Sequence, residues 1–139
     1  EIRRNLSRTL QAAQTRLDNI FGAVATQTAY ETGGPWLEEL MRYIRGNFLF
    51  LQEFFYREFP SVSIASPQGT YFAWIDMRSL GLSPEEVQFR LLHKGHVALL
   101  DGRDFGAPGE GFQRMNLACP RSLLSKGLQG IRQALGKQR

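Results

Sequence analysis

The sequence predicts an α/β fold of the α+β two-layer sandwich type: a four-stranded, mostly antiparallel sheet with helices on one face, preceded by a long connecting helix. Three observations lead there. Apolar residues recur every three or four positions up to Phe55, alternate with a period of two after Pro60, and return to helical spacing after Ser83 and again after Pro120. Gly and Pro residues punctuate these switches. The resulting order is helix, helix, helix, strand, strand, helix, strand, strand, helix, which a two-layer sandwich accommodates.

Ile2, Leu6, Leu10, Ala13, Leu17 and Phe21 follow one another at spacings of 4, 4, 3, 4 and 4, so one amphipathic helix is expected through Phe21, with Arg3, Arg4, Arg8 and Arg16 on its polar face. A short helix is expected over Ala23 to Glu31, ending near Gly33-Gly34. Pro35 then stands at a first helical position, and Leu37, Leu40, Ile44, Phe48, Leu51 and Phe55 draw an apolar stripe up to about Glu58. Val62 and Ile64 alternate with serines, and Pro67-Gln68-Gly69 reads as a turn. Thr70 to Met77 follows as a strand with apolar residues on both faces, so the pair makes a hairpin buried on two sides or at a tight interface. Ser83-Pro84-Glu85-Glu86 is a capping box that opens a helix ending at Gly95. His96 to Leu100 reads as a short strand, Asp101 to Gly111 as a glycine-rich loop, and Phe112 to Ala118 as a strand. Leu124, Leu128, Ile131 and Leu135 form one face of a last helix closed by Gly136.

The bulk numbers narrow the class. At 139 residues the chain can bury roughly two-thirds of its unfolded surface. A composition of 42% hydrophobic and 12% aromatic residues excludes intrinsic disorder. The net charge of +4 comes from 14 arginines and 3 lysines spread along the chain with no block of like charge, so a solvated basic surface is read in preference to a nucleic-acid partner. One cysteine, Cys119, excludes an internal disulfide and fits a reducing compartment, hence a cytoplasmic location. No apolar run approaches the length that spans a bilayer, so no membrane partner is expected. The chain begins at Glu1 inside a helical pattern, which reads as a piece of something longer, with residues 1–34 a connecting helix and linker and 35–139 a small α/β domain.

The most informative stretch is Phe112 to Ser122, FQRMNLACPRS. Arg114 sits in the middle of an otherwise apolar strand, and a charge there is costly unless it has a partner. Two readings stand side by side. Arg114 is either half of a structural ion pair with a carboxylate such as Asp76 or Asp101, or a clamp for a ligand carboxylate, held by two parallel hydrogen bonds. Asn116, two residues on and on the same face, would support the clamp.

Other candidates carry less. The loop DGRDFGAPGEG matches neither a phosphate-binding P-loop nor an EF-hand, and reads as a tight or mobile turn beside a site. His93 and His96 lack partners at metal-ligand spacing, so no metal is expected and a surface role is read. Cys119 reads as a small, partly buried residue. Trp36, Phe48, Phe54, Phe55 and Phe59 read as core. The pairs Glu38-Glu39 and Glu85-Glu86 are sequence neighbours and do not face each other, so neither is an acid/base couple.

Several stretches together resemble one family. AYETGGPWLEEL (Ala29 to Leu40), PQGTYFAWIDMRSLGLS (Pro67 to Ser83), VALLDGRDFGAPGEGF (Val97 to Phe112) and RMNLACPRSLL (Arg114 to Leu124) are similar to the C-terminal part of the fold type I pyridoxal-phosphate (PLP) enzymes of the class I/II aminotransferase superfamily, most of all the MalY/PatB-type cystathionine β-lyases. The resemblance implies the small domain of that fold, with the first helix as connector from a large cofactor domain. It implies that Arg114 binds the α-carboxylate of an amino-acid substrate, orienting its Cα–H for removal while PLP serves as electron sink. In the lyases a β-thiol is then lost, giving a thiol, ammonia and pyruvate. It also implies a homodimer.

The family's Schiff-base lysine, the partner of the pyridine nitrogen and the phosphate-binding groups all match upstream of Glu1. Lys94, Lys126 and Lys137 stand in no matching context. No catalytic or cofactor-binding residue is therefore expected within this chain, which by itself is expected to be inactive and to bind no PLP. The leading expectation is the C-terminal part of a C–S β-lyase acting on sulfur amino acids. An aminotransferase with the same small domain is the alternative, and a non-enzymatic regulatory or binding domain a second.

Overall fold

The computed structural model describes residues 1–13 and 19–136. The chain divides into two compact units, Glu1–Leu40 and Met41–Arg139.

In the first unit, helix α1 (Ile2–Ala12) carries Ile2, Leu6 and Leu10 along one face, all exposed. Helix α2 (Ile20–Thr32) starts afresh. The Asn19 side chain accepts hydrogen bonds from the amides of Phe21 (3.0 Å) and Gly22 (3.3 Å), and its own backbone is extended. The expected single helix through Phe21 is thus corrected. Phe21 belongs to the first turn of α2, because an asparagine side chain satisfies orphan amides that a continuing helix would not leave free. Arg16 and Leu17 of the expected stripe lie outside the described residues.

Helix α3 (Gly34–Glu58) begins at the expected place. Its buried positions are Ile44, Asn47, Phe48, Leu51 and Phe55, while Trp36 is 68% exposed, so Trp36 is removed from the predicted core cluster. Phe55 and Phe59 are buried with ring centroids 5.6 Å apart, and Phe54 meets Phe55 edge-on at 5.5 Å.

Four strands follow: β1 (Ser63–Ala65), β2 (Phe72–Asp76), β3 (Leu100–Asp101) and β4 (Phe112–Asn116). They form one sheet in the order β1-β2-β4-β3, antiparallel at every pairing. Helix α4 (Pro84–His93) lies between β2 and β3 in the chain, and α5 (Arg121–Leu135) follows β4. The Ser83 hydroxyl caps α4 by accepting from the Glu86 amide at 3.2 Å, as the capping box predicts. The third strand is shorter than expected. His96 adopts a left-handed backbone (φ 53°), which ends helix α4's approach and keeps the chain off β4 until Leu100.

Strand alternation gives the sheet an inner and an outer face. Ala73, Ile75, Gln113 and Met115 point inward and are buried. The Gln88 amide of α4 donates to the Gln113 side-chain oxygen at 2.8 Å, which satisfies that polar group inside the core. Leu51, Leu91, Leu117, Leu124, Leu128 and Ile131 complete the core, each removed from water and worth roughly 1.5–3 kcal/mol of burial. Where α4 ends against α5, Gly95 and Gly130 are both buried, and a Cβ built on Gly130 would fall 2.3 Å from the Gly95 carbonyl oxygen. Only glycine allows that approach. The predicted two-layer sandwich is the fold observed. The outer-face residues of β2, Phe72, Trp74 and Asp76, are partly buried, so the two-sided burial that its apolar sequence suggests is met in part.

Candidate carboxylate-binding site

Arg114 stands at the middle of β4, opposite Trp74 of β2 and Leu100 of β3. It therefore points to the outer face, together with Phe72, Trp74, Phe112 and Asn116. Its guanidinium carbon lies 4.1 Å from the centroid of the Phe72 ring and 4.3 Å from that of Phe105. The cation thus lies over two aromatic rings, whose quadrupoles attract it. Trp74 completes the surround, edge-on to Phe105 at 5.6 Å and stacked on Phe112 at 5.5 Å.

The Arg114 Nε is buried and has no hydrogen-bond partner. Among the described residues no carboxylate pairs with Arg114, because both sequence candidates are engaged elsewhere. Asp76 is gripped by Arg78, with Nε donating to Oδ1 at 2.9 Å, Nη2 to Oδ2 at 2.6 Å, and the Arg78 amide to Oδ1 at 3.0 Å. Asp101 is gripped in the same manner by Arg103, whose Nη2 donates to Oδ2 at 2.8 Å and whose amide donates to Oδ1 at 2.9 Å. Asp101 also pairs in register with the inward-facing Gln113, on the opposite side of the sheet from Arg114. The hydrogen bonds from Arg78 and Arg103 hold both carboxyls below the usual carboxylate range.

The glycine-rich segment is neither a phosphate cradle nor an open loop. It folds as two 3-10 turns, Gly102–Phe105 and Ala107–Gly109, pressed together so closely that a Cβ on Gly102 would lie 2.0 Å from the Gly109 oxygen. Arg103 also pairs with Glu85 of α4, which ties the first turn to that helix. The turn ends at Phe105, and this is how Phe105 reaches Arg114.

The remaining candidates fall into place. Asn116 is exposed on the Arg114 face, and its side-chain oxygen accepts from the Ala118 amide at 2.8 Å. His93 and His96 are exposed, and the described residues hold no group of metal-ligating side chains. Cys119 is partly buried. Among the described lysines, Lys94 caps α4 and Lys126 stands exposed on α5, which packs on the inner face, so neither accompanies Arg114.

Sequence reasoning did not find the aromatic clamp or the polar knot behind it. Asn47 of α3, fully buried, donates to the carbonyls of Leu117 (2.8 Å) and Cys119 (2.9 Å). It accepts from Arg121 Nε at 2.7 Å, and the Arg121 amide donates to the Tyr43 hydroxyl at 2.8 Å. This knot fixes the turn by which β4 leaves the sheet. A polar residue within the apolar stripe of α3 was the one available signal.

No protein-family model matches the chain. Cystathionine beta-lyase PatB of Bacillus subtilis (strain 168) is 42% identical over 117 residues, 84% of this chain and 30% of that protein. Protein MalY of Escherichia coli (strain K12) is 35% identical over the same shares. The PLP-bound C-S lyase from Staphylococcus hominis has a similar structure, with a TM-score of 0.80 and 31% identity, covering 96% of this chain and 35% of that one. The PLP-bound putative aminotransferase from Clostridium difficile 630 is similar too, with a TM-score of 0.82 and 41% identity, covering 94% of this chain and 35% of that one, whereas the curated aspartate aminotransferase of Pyrococcus horikoshii matches over 57% of the chain. The chain belongs to the fold type I PLP-dependent enzymes, as a C-terminal small-domain segment of the MalY/PatB cystathionine β-lyase group. It spans about 30% of the length of the curated relatives it matches.

Proposed function

We propose that this chain is the substrate-anchoring part of a PLP-dependent C–S β-lyase acting on sulfur amino acids, with Arg114 as the group that takes the substrate α-carboxylate. The observation that carries the reading is the state of Arg114: a guanidinium lying over the rings of Phe72 and Phe105, with no carboxylate of the described residues bound to it. The rings take none of the guanidinium N–H groups in a conventional hydrogen bond, which leaves those donors to an acceptor. A carboxylate matches them with two parallel hydrogen bonds. The side-chain amide nitrogen of Asn116, on the same face, would donate to the same carboxylate.

Holding the carboxylate fixes one end of the substrate and so sets the direction of its Cα–H bond, which lowers the entropic part of the barrier to proton removal. The described residues themselves do not fit PLP. Neither described lysine accompanies Arg114, and the residues that hold the cofactor belong to the rest of the parent protein. On this reading residues 1–34 connect to a large cofactor domain and 35–139 form the small domain. The parent is a cytoplasmic homodimer. No described helix is long and apolar enough to cross a membrane.

The test uses the intact protein that carries this chain, supplied with PLP and L-cystathionine and no keto acid. Release of pyruvate is the expected result. No release, followed by amino transfer once a keto acid is added, would make the protein an aminotransferase with the same anchor. Neither reaction would leave the non-enzymatic reading.

A further inference from the structure

We propose that Phe105 is a positioning residue for the carboxylate anchor: its ring, together with that of Phe72, packs on the Arg114 guanidinium and orders it to meet a substrate carboxylate. This deepens the reading of Arg114 as anchor and rests on it.

Phe105 is an unusual place to invest structure. Its side chain is 51% exposed and contributes little to the core. Yet the turn that carries it is fastened in three ways. Asp101 holds the Arg103 amide and guanidinium. Arg103 reaches on to Glu85 at the start of α4. Gly102 and Gly109 lock the two 3-10 turns back to back, at a distance no other residue pair permits. All this fixation ends in one ring, set 4.3 Å from the Arg114 guanidinium and edge-on to Trp74.

An arginine side chain is long and loses considerable rotamer freedom when it is ordered. In Arg78 and Arg103 that ordering comes from a carboxylate of the chain itself. In Arg114 the same ordering comes from contact with the two rings, which take no conventional hydrogen bond from it. Phe72 is set by the β2–β4 register and belongs to the sheet. Phe105 is set by the loop, so it is the half of the clamp that can be altered without touching a strand. The competing account is that Phe105 merely covers Trp74.

The experiment compares Phe105→Leu, which keeps apolar bulk but loses the ring, with Phe105→Tyr, which keeps both, in the intact protein with PLP and L-cystathionine. The expected result for Phe105→Leu is a KM raised about tenfold, the size of a partly buried cation–π contact, with kcat within about twofold. Phe105→Tyr returns KM to the parent value. Independently of turnover, the Arg114 Nε–Hε proton resonance is displaced upfield by the two rings, and it moves back toward its ordinary position in Phe105→Leu only. Arg114→Ala is measured alongside. An unchanged KM in Phe105→Leu, with KM raised in Arg114→Ala, overturns the positioning role and leaves the anchor standing. An unchanged KM in Arg114→Ala overturns the anchor, and this inference with it.

Discussion

Arg114 and Arg121 lie seven positions apart on one strand–turn–helix segment, and both stack on a phenylalanine, yet the fold treats them oppositely. Arg121 lies 4.7 Å from the Phe50 ring centroid, and its Nε is spent on the buried Asn47 oxygen. The polar groups of this knot close on protein: Asn47 serves two carbonyls and the Arg121 Nε, and Tyr43 takes the Arg121 amide. Arg114 lies over two rings, but its Nε has no acceptor. A closed polar knot contributes to stability and fixes a turn. A buried guanidinium Nε left without an acceptor is costly to keep, and that cost fits a side chain whose partner arrives from outside.

Breaking the open member should have the largest effect on function. Arg114→Ala in the intact protein is expected to weaken substrate binding by on the order of a hundredfold or more, as truncating one side of a desolvated charge pair does. PLP absorbance should stay unchanged. Arg114→Lys should recover only part of the loss, since an ammonium lacks the planar fork. Steady-state kinetics with L-cystathionine, together with the cofactor spectrum, check both.

Breaking the closed member should act on stability instead. Asn47→Ala leaves the Leu117 and Cys119 carbonyls and the Arg121 Nε without their partner. A loss of about 2–3 kcal/mol in a urea melt is expected. Any change in KM should be secondary to the moved turn.

Gly102→Ala probes the mechanical link between the glycine-rich turns and the clamp. The added methyl would press on the Gly109 backbone, which is not the end of a flexible side chain, so the turns must separate. A cost of about 1–3 kcal/mol is expected in the same melt, with Phe105 displaced from Arg114.

Acid should act last and least. Hydrogen bonds from Arg78 and Arg103 depress the folded-state values of Asp76 and Asp101. Their contribution is therefore complete above the ordinary carboxylate range and is lost as pH falls through the depressed folded values, below about pH 4. Melting across pH 3 to 7 should show a small loss confined to the acid end, absent in Asp76→Asn/Asp101→Asn.

Much of the fold was legible along the chain because its signals are local. The Ser83 capping box, Pro35 at a helix start and the apolar period of α3 and α5 each act within one or two turns of backbone. The misses came where one local signal outranked another. The stripe from Ile2 to Phe21 concealed the Asn19 cap, and the apolar run around Val97 concealed the left-handed His96 that delays β3. Within the site, Arg114 was legible because a charge within an apolar strand stands out. Phe72 and Phe105 were not, because 42 residues separate Phe72 from Arg114 and the meeting depends on the β2–β4 register.

By itself the sequence determined the layers and a strand arginine in want of a carboxylate, since periodicity and desolvation are properties of short segments. Only the tertiary structure decided which carboxylates are already taken. Asp76 and Asp101 were equal candidates on paper, and two nearby arginines claim them through geometry that pairing in sequence does not reveal. It also decided that aromatic rings, rather than an ion pair, hold Arg114 in place, because a cation's surroundings are set by what strand register and loop packing bring within a few ångströms of it.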